Sequence, residues 1–234
     1  MPERISEGFP LFPLGIVALP SEHVPLHIFE DRYRRMIEQC LSAEPNSPQR
    51  EFGIVWLSDE ELKEVGCACE IERVLERMDD GRLNILALGT RPFRLLERQD
   101  ELPYPAGVIE FLDDRDDSDD DDDDEPSAPL TGATPSADGD DEDSAEPARE
   151  LYRELVEQAT DRQLGAAELD SMSAYEMAAT VEFGIDAKQE LLELRSERAR
   201  LRLLAMLLRT ALDRLALIDR AQTRAASNGK VRFG

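Results

Sequence analysis

The spacing of apolar residues changes at about position 31, and this change separates two kinds of predicted structure. Residues 9–30 hold short apolar runs that four prolines interrupt, and proline cannot donate a hydrogen bond to a β-ladder. This pattern predicts short strands, edges and turns. The apolar residues that follow recur at helical spacing, so they share one face of a predicted amphipathic helix: Tyr33, Met36, Ile37, Cys40 and Leu41.

Residues 52–77 carry the patterns that are typical of β-strands. Residues 52–57 are a continuous apolar run, which predicts a short buried strand. Cys67, Cys69 and Ile71 fall on one face of a predicted strand, and Glu70 and Glu72 fall on the other. The alternation slips before Val74, and this slip predicts a β-bulge.

Turn signals divide the remainder of this region into strands. Residues 79–81, Asp-Asp-Gly, predict a hairpin, Gly89 is predicted to separate two further strands, and residues 106–112 form a last strand. About six short strands with one early helix predict an α+β protein. We expect residues 5–112 to form a compact, twisted β-barrel rather than an alternating α/β domain.

An acidic segment follows at residues 113–148, with 17 acidic side chains against one basic side chain and six consecutive aspartates. It therefore holds most of the net charge of −25. A segment of this composition buries too little apolar surface to offset the entropy of ordering, so we expect a disordered acidic linker. The rest of the chain is only mildly acidic and lacks the basic footprint of a nucleic-acid surface.

The pattern from residue 149 onward is helical. We expect a helical bundle at residues 149–222 and a flexible tail at 223–234. Residues 173–176 and 186–189 each read as an N-terminal capping box. A long last helix at about 196–221 carries apolar residues at alternating spacings of three and four, which is typical of an interhelical seam: Leu201, Leu204, Leu208, Ala211, Leu215 and Ile218.

Histidine and cysteine, the residues most often found in metal and redox sites, give no strong signal here. His23 and His27 flank Pro25, and in an extended segment they stand about 13 Å apart, too far to share an ion. Cys67 and Cys69 fall on one strand face without a third ligand, and buried packing is the expected role of such thiols. We expect no metal and no cofactor.

Four arginines, Arg195, Arg198, Arg200 and Arg202, cluster at the start of the last helix. The ordinary interpretation is a solvated helix face. The alternative is that the acidic segment folds back on these arginines and competes with acidic partners.

Several blocks in the same order resemble the Lon protease N-terminal, substrate-binding (LonN) family, and above all its stand-alone bacterial members. They are PLFPLGIVALP (10–20), PLHIFEDRYRRMI (25–37), FGIV (52–55), VGCACEIERVLERMDDGRLNILALGTRPFRLLE (65–97) and KQELL (188–192). The resemblance implies a PUA-like pseudo-barrel followed by a small helical bundle. It also implies a role in recognising and positioning protein substrates.

Two positions depart from the pattern of the family. Its members often have Pro-Gly where this chain has Pro20-Ser21, and a proline where it has Asp31. Asp31 still suits the first turn of a helix, because a negative charge there meets the positive end of the helix dipole.

The segments that make Lon an enzyme are not found in this sequence. Gly229-Lys230 is the only Gly-Lys pair and has no phosphate-binding loop before it, and no serine lies in the context of the Lon protease site. We therefore expect no catalytic residues. The predicted function is non-catalytic recognition of unfolded or peptide segments of client proteins, with a protease as a further partner. Candidate substrate-binding residues lie where strand meets helix: Pro25, His27, Phe29, Arg32 and Tyr33.

Two other classes of function stay open at this point. One is a structural or assembly protein that forms a homodimer through its last helix, and the other is an RNA-binding PUA-like module, which the acidic charge opposes. The N-terminal residues lack the pattern of a signal peptide and no apolar run is long enough to span a membrane, so a cytoplasmic protein without membrane contact is expected.

Overall fold

In the residues that the computed structural model describes (4–44, 47–58, 61–115, 145–160 and 162–228), the chain is a mixture of strands and helices. The strands are β1 (Ile5–Leu14), β2 (His23–Ile28), β3 (Glu51–Ser58), β4 (Glu61–Leu62), β5 (Val65–Arg77), β6 (Leu83–Gln99) and β7 (Ala106–Phe111). The helices are α1 (Asp31–Ser42), α2 (Ala145–Ala159), α3 (Ala166–Ser171), α4 (Ala174–Ala178), α5 (Ile185–Glu193) and α6 (Glu197–Asn228), and a 3-10 turn spans Pro48–Arg50. The α+β class is confirmed, with seven strands in place of about six. Most of the predicted acidic linker, 116–144, and the end of the predicted tail, 229–234, lie outside the described residues.

The strands pair in the order β1-β7-β6-β5-β3-β4, and β1 also pairs in parallel with β3. Because β1 contacts both β7 and β3, five strands form a closed hydrogen-bonded ring. β2 joins the sheet separately, where it pairs antiparallel with the first part of β6, from His23 opposite Leu88 to Ile28 opposite Leu83. The ring thereby brings residues that are far apart in sequence onto one continuous sheet.

Aromatic side chains form part of the buried core inside this ring of strands. The ring of Phe9 meets those of Phe93 and Phe111 edge to face, with centroids 5.5 and 5.7 Å apart. Edge-to-face pairs are favourable because the positive edge of one ring faces the negative face of the other. The same buried cluster contains Leu11, Val55, Ala68 and Ile109.

β5 and β6 form the hairpin that the Asp-Asp-Gly signal predicts. Gly81 has a φ of +84°, which glycine adopts without steric cost, and the Met78 amide donates to the Arg82 carbonyl at 2.9 Å. The predicted bulge is also confirmed, since the β5–β6 register shifts between Ile71 and Arg73. The predicted break at Gly89 is wrong, because β6 runs through this position without interruption.

Helix α1 buries the face that its apolar period predicts. Tyr33, Met36, Ile37 and Cys40 are buried, whereas Leu41 is only partly covered. The Tyr33 ring packs on Phe12 of β1 with centroids 4.2 Å apart. This contact ties the start of the helix to the strand that opens the sheet.

The described residues form two compact units. The first contains all seven strands, α1, α4 and α5, and the second contains α2, α3 and the part of α6 from Arg198 onward. In the second unit the Arg149 side chain donates to the carbonyl of Leu169 at 3.1 Å, which links α2 to α3.

Helices α4 and α5 are fixed within the first unit by polar contacts. Ser173 and Glu176 form the predicted capping box at the start of α4. The capping box predicted at residues 186–189 is wrong, because α5 begins after Gly184 without a side-chain cap. Gln189, the fourth residue of that predicted box, instead donates its amide to the carbonyl of Val65 at 3.2 Å, and Lys188 forms an ion pair with Glu22 at 2.6 Å.

The arginines near the start of α6 do not share one solvated face. Arg195 is half-buried and donates twice to the carbonyl of Asp113, at 3.2 and 2.6 Å. Arg200 is 1% exposed, so the prediction of a solvated side chain is wrong for this residue. Burial lowers the pKa of Arg195, and the nearby charges of Arg115 and Arg94 lower it further.

Helix α6 continues to Asn228, past the predicted end at residue 221. The first predicted seam residues, Leu201, Leu204 and Leu208, are buried, whereas Ile218 near the other end is 51% exposed. Among the helices that the structure describes, including this long one, none has the length and apolar character needed to cross a membrane.

The Pro20-Ser21 position forms a tight turn despite the missing glycine. The Glu22 amide donates to the Leu19 carbonyl at 3.1 Å, and Ser21 has a φ of +66°. A proline followed by a left-handed residue is typical of a type II β-turn, where glycine is preferred. The serine therefore holds a backbone conformation that costs about 1–2 kcal/mol for a residue with a Cβ.

Ser21→Gly is expected to raise the free energy of unfolding by about 0.5–1 kcal/mol, because relief of the left-handed strain exceeds the entropy that glycine adds to the unfolded chain. Urea denaturation of the full chain measures the change. Ser21→Ala is the matched control and should lie close to the parent, since it keeps the Cβ. Destabilisation by the glycine would contradict the assigned strain.

Gly89→Ala is expected to destabilise the protein by about 1–3 kcal/mol, as overpacking does. A Cβ at this position would lie 2.1 Å from the backbone oxygen of Leu19, so the backbone must move. The control is Gly15→Ala, because a Cβ there meets no atom within 4 Å. Equal denaturation midpoints for the two variants would show that the close approach at Gly89 is not restrictive.

Candidate functional site

A groove with a volume of about 600 Å³ opens on the first unit, and all five candidate residues line it. Pro25 and His27 lie on β2, Phe29 follows this strand, and Arg32 and Tyr33 lie in the first turn of α1. The strand-to-helix junction therefore brings the five together by sequence adjacency. More distant residues complete the walls: Phe12, Leu14, Ile16, Leu57, Leu62 and Arg98.

The alternation of β2 decides which side chains reach the groove from the surface. Val24, Leu26 and Ile28 point into the protein, and His27 points outward with the other exposed positions of the strand. Phe29 continues this alternation and is 59% exposed. Its ring stacks on the ring of His27 with centroids 5.8 Å apart. A large apolar side chain in solvent beside a groove is typical of a binding surface.

His27 is held in one orientation by a chain of side-chain hydrogen bonds. The Asn84 amide nitrogen donates to Glu76 at 2.8 Å, so its oxygen accepts from Nδ1 of His27 at 2.6 Å. This leaves Nε2 of His27 without the proton in the neutral ring. His27 therefore presents a polar ring in a fixed orientation at the edge of the groove.

Arg32 and Tyr33 play different parts in the groove. The Arg32 guanidinium lies 4.5 Å from the centroid of the Tyr33 ring and forms an ion pair with Glu30 at 2.8 Å. Tyr33 is buried and forms the floor. Burial raises the pKa of its phenol, which Arg32 opposes and Glu30 reinforces, so the hydroxyl stays protonated at neutral pH.

Sequence reasoning missed the opposite walls of the groove. Ile16 and Leu57 are more than one-third exposed although both are large and apolar. Leu57 stands at the end of an apolar strand, and its exposure depends on the sheet that surrounds it. Arg98 on β6 completes one side and, in the part of the chain that the structure describes, forms no ion pair.

Other reactive residues of the first unit lie in separate environments. His23 pairs with Glu72 at 3.2 Å, whereas His27 bonds to Asn84. Cys40, Cys67 and Cys69 are buried free thiols. Burial raises the pKa of Cys40 to about 11 and holds that of Cys67 well above its ordinary value. Within the described ranges no three histidine, cysteine or acidic side chains are grouped to bind a metal.

Comparison with known sequences identifies the domain. The sequence model of the family described as "ATP-dependent protease La (LON) substrate-binding domain" matches residues 8–210. A Lon protease from Parabacteroides distasonis is 29% identical over 116 residues. That match covers 48% of this chain and 14% of the relative, so the chain spans a small part of the length of this relative.

Solved structures show the same fold at low sequence identity. A Lon N-terminal domain protein from Xanthomonas campestris is 22% identical, with a TM-score of 0.55 and coverage of 84% of this chain and 96% of that one. The N-terminal domain of a Mycobacterium avium complex Lon protease is 16% identical, with the same TM-score and coverage of 86% and 98%. The fold is therefore that of a Lon N-terminal domain, and the chain belongs to the Lon substrate-binding domain family.

Proposed function

We propose that this chain is a non-catalytic polypeptide-recognition module, and that the groove of the first unit binds exposed apolar segments of client proteins. The observation that carries the proposal is the combination of family membership with a groove that leaves Phe29, Ile16 and Leu57 in solvent. Unfolded chains offer apolar side chains that native proteins bury. Such side chains are the natural complement of this surface.

The energetics of apolar contact support this function. Full burial of a phenylalanine side chain is worth roughly 1.5–3 kcal/mol, and Phe29 is 59% exposed, so a ligand that covers its exposed part gains about 1–2 kcal/mol. The rigid rim, where Arg32 is paired with Glu30 and His27 with Asn84, lowers the entropy lost on binding. A shallow surface of this kind suits many sequences of similar chemistry.

The proposed function does not include catalytic activity. The family match concerns a substrate-binding domain, and His27 and Arg32 are engaged in contacts that position them. Transfer of bound segments to a protease is the role we assign to the module. We interpret the closed ring of strands as the PUA-like pseudo-barrel that supports the groove.

A second candidate function is self-association through α6. Leu217 and Ile218, near the end of this helix, are 62% and 51% exposed. Adjacent large apolar side chains in solvent favour contact with a second copy of the same helix.

Phe29→Ser is expected to weaken binding of a labelled apolar peptide by about tenfold, which corresponds to about 1.4 kcal/mol. Fluorescence anisotropy with a peptide of about 12 residues rich in leucine and phenylalanine gives the dissociation constant. Leu96→Ser is the matched control, since Leu96 is 50% exposed and lies outside the groove. An equal effect of both substitutions would place peptide binding elsewhere.

Replacement of Leu217 and Ile218 by glutamate is expected to shift a self-associating chain to monomers, because charge repels across an apolar contact. Sedimentation velocity over a range of concentrations measures the species present. Arg209→Glu, an exposed change on the same helix, is the control. A parent chain that is monomeric at all concentrations would rule out this second function.

A further inference from the structure

We infer that the groove takes its polypeptide as an extended strand that pairs with the free edge of β2, and that Arg98 favours a segment with a carboxylate beside its apolar residues. The inference rests on the proposed function, because it specifies how the same groove would hold a peptide. It adds a backbone conformation and a charge to the apolar contacts.

The first step concerns the pairing of β2. In the described residues this strand pairs with β6 alone, while β6 has β5 on its other edge. One edge of β2 therefore keeps backbone N–H and C=O groups that no strand satisfies. An open edge of this kind is a template for an additional strand.

The second step shows that the groove follows this edge. Pro25, Leu26, His27 and Ile28 all line it, although successive side chains of a strand point to opposite faces of the sheet. A groove on one face would contact alternate residues only. Contact with four consecutive residues places the groove along the edge of β2.

The opposite wall of the groove is also formed by an extended segment. Residues 12–16 also line the groove consecutively. The pairing of β1 with β7 ends at Pro10, and beyond it β1 pairs with β3 on one side only in the described part of the sheet. The groove thus has the shape of a channel between two extended segments, which accommodates an extended chain.

Pro25 indicates which backbone groups of β2 face its free edge. Proline has no N–H, and in a sheet it is placed where this group would face away from the ladder. In this orientation the missing N–H of Pro25 costs the β2–β6 ladder no hydrogen bond. Backbone groups alternate in direction along a strand, so the N–H and C=O of His27, two residues further on, also point away from β6. The outer edge accordingly offers the N–H and C=O of His27 and the C=O of Pro25.

A charged side chain of the groove discriminates between extended segments of different sequence. The two arginines of the groove differ, because Arg32 is neutralised by Glu30, whereas Arg98 has no ion pair in the described residues. A guanidinium without a partner at an apolar site favours a carboxylate. The carboxylate comes from an acidic side chain or from the C-terminus of the bound chain.

The test uses the full chain and one parent peptide of alternating apolar residues with a single aspartate. Two variants of the peptide carry N-methyl groups on alternate amides, in one register or in the other. A strand on β2 uses the amides of only one register, so one variant is expected to lose at least tenfold in affinity and the other less than threefold. Peptide binding is also expected to slow hydrogen exchange of the His27 amide.

Arg98→Gln tests the charge. It is expected to weaken the aspartate peptide by three- to tenfold and to leave an asparagine peptide unchanged, with Arg94→Gln, an exposed arginine outside the groove, as the control. Peptides with a free or an amidated C-terminus distinguish the two sources of the carboxylate.

The outcomes separate the two levels of the proposal. Peptide binding that depends on Phe29, with equal affinities for both N-methylated registers, overturns strand pairing and leaves the proposed function standing. Equal effects of Arg98→Gln on the aspartate and asparagine peptides overturn the assigned charge selection. A parent peptide that does not bind overturns the proposed function together with the inference.

Discussion

Strand β6 has two successive partners on one edge, and this arrangement determines where the groove forms. Its first part pairs with β2 and its second part with β7, while β5 follows the other edge. The change of partner falls near Gly89, whose amide donates to the Glu22 carbonyl and whose carbonyl accepts from the Ser21 amide. These bonds fix the start of β2. Because β2 is held beside β6 alone in the described sheet, its outer edge is free to border the groove.

The turn that leads into β2 is held by contacts with distant parts of the first unit. One Glu22 oxygen accepts from the Leu19 amide at 2.9 Å, and the other forms the ion pair with Lys188 of α5. A single carboxylate therefore connects the turn to a helix 166 residues away. The pair is partly buried, so solvent screens it less than a surface ion pair, and loss of either partner would leave the other charge partly buried without its counterion. The turn before β2, a strand that lines the groove, is in this way bonded to α5.

Two polar side chains of the groove, His27 and Arg32, are held by neighbouring side chains. Tyr33 is a neutral phenol beneath Arg32, and His27 is fixed by Asn84. His27 donates to Asn84, and Arg32 forms an ion pair with Glu30.

The sequence by itself determined the features that depend on neighbours within a few residues. The buried face of α1, the turn at Gly81, the bulge near Ile71 and the capping box at Ser173 all follow from local spacing and local hydrogen bonds. The candidate residues from Pro25 to Tyr33 meet in one groove for the same reason, because they are adjacent along the chain.

Tertiary structure decided the features that depend on residues far away in sequence. The sequence pattern predicts a break at Gly89, but the strand continues because the missing side chain admits the Leu19 carbonyl. The spacing of residues 186–189 predicts a capping box closed by Gln189, but this side chain donates to the carbonyl of Val65 on β5. Closure of the strand ring brings Leu57 and Arg98 to the groove, and no local pattern encodes that meeting. Burial and charge pairing are properties of the assembled fold, so they follow only from the contacts that folding creates.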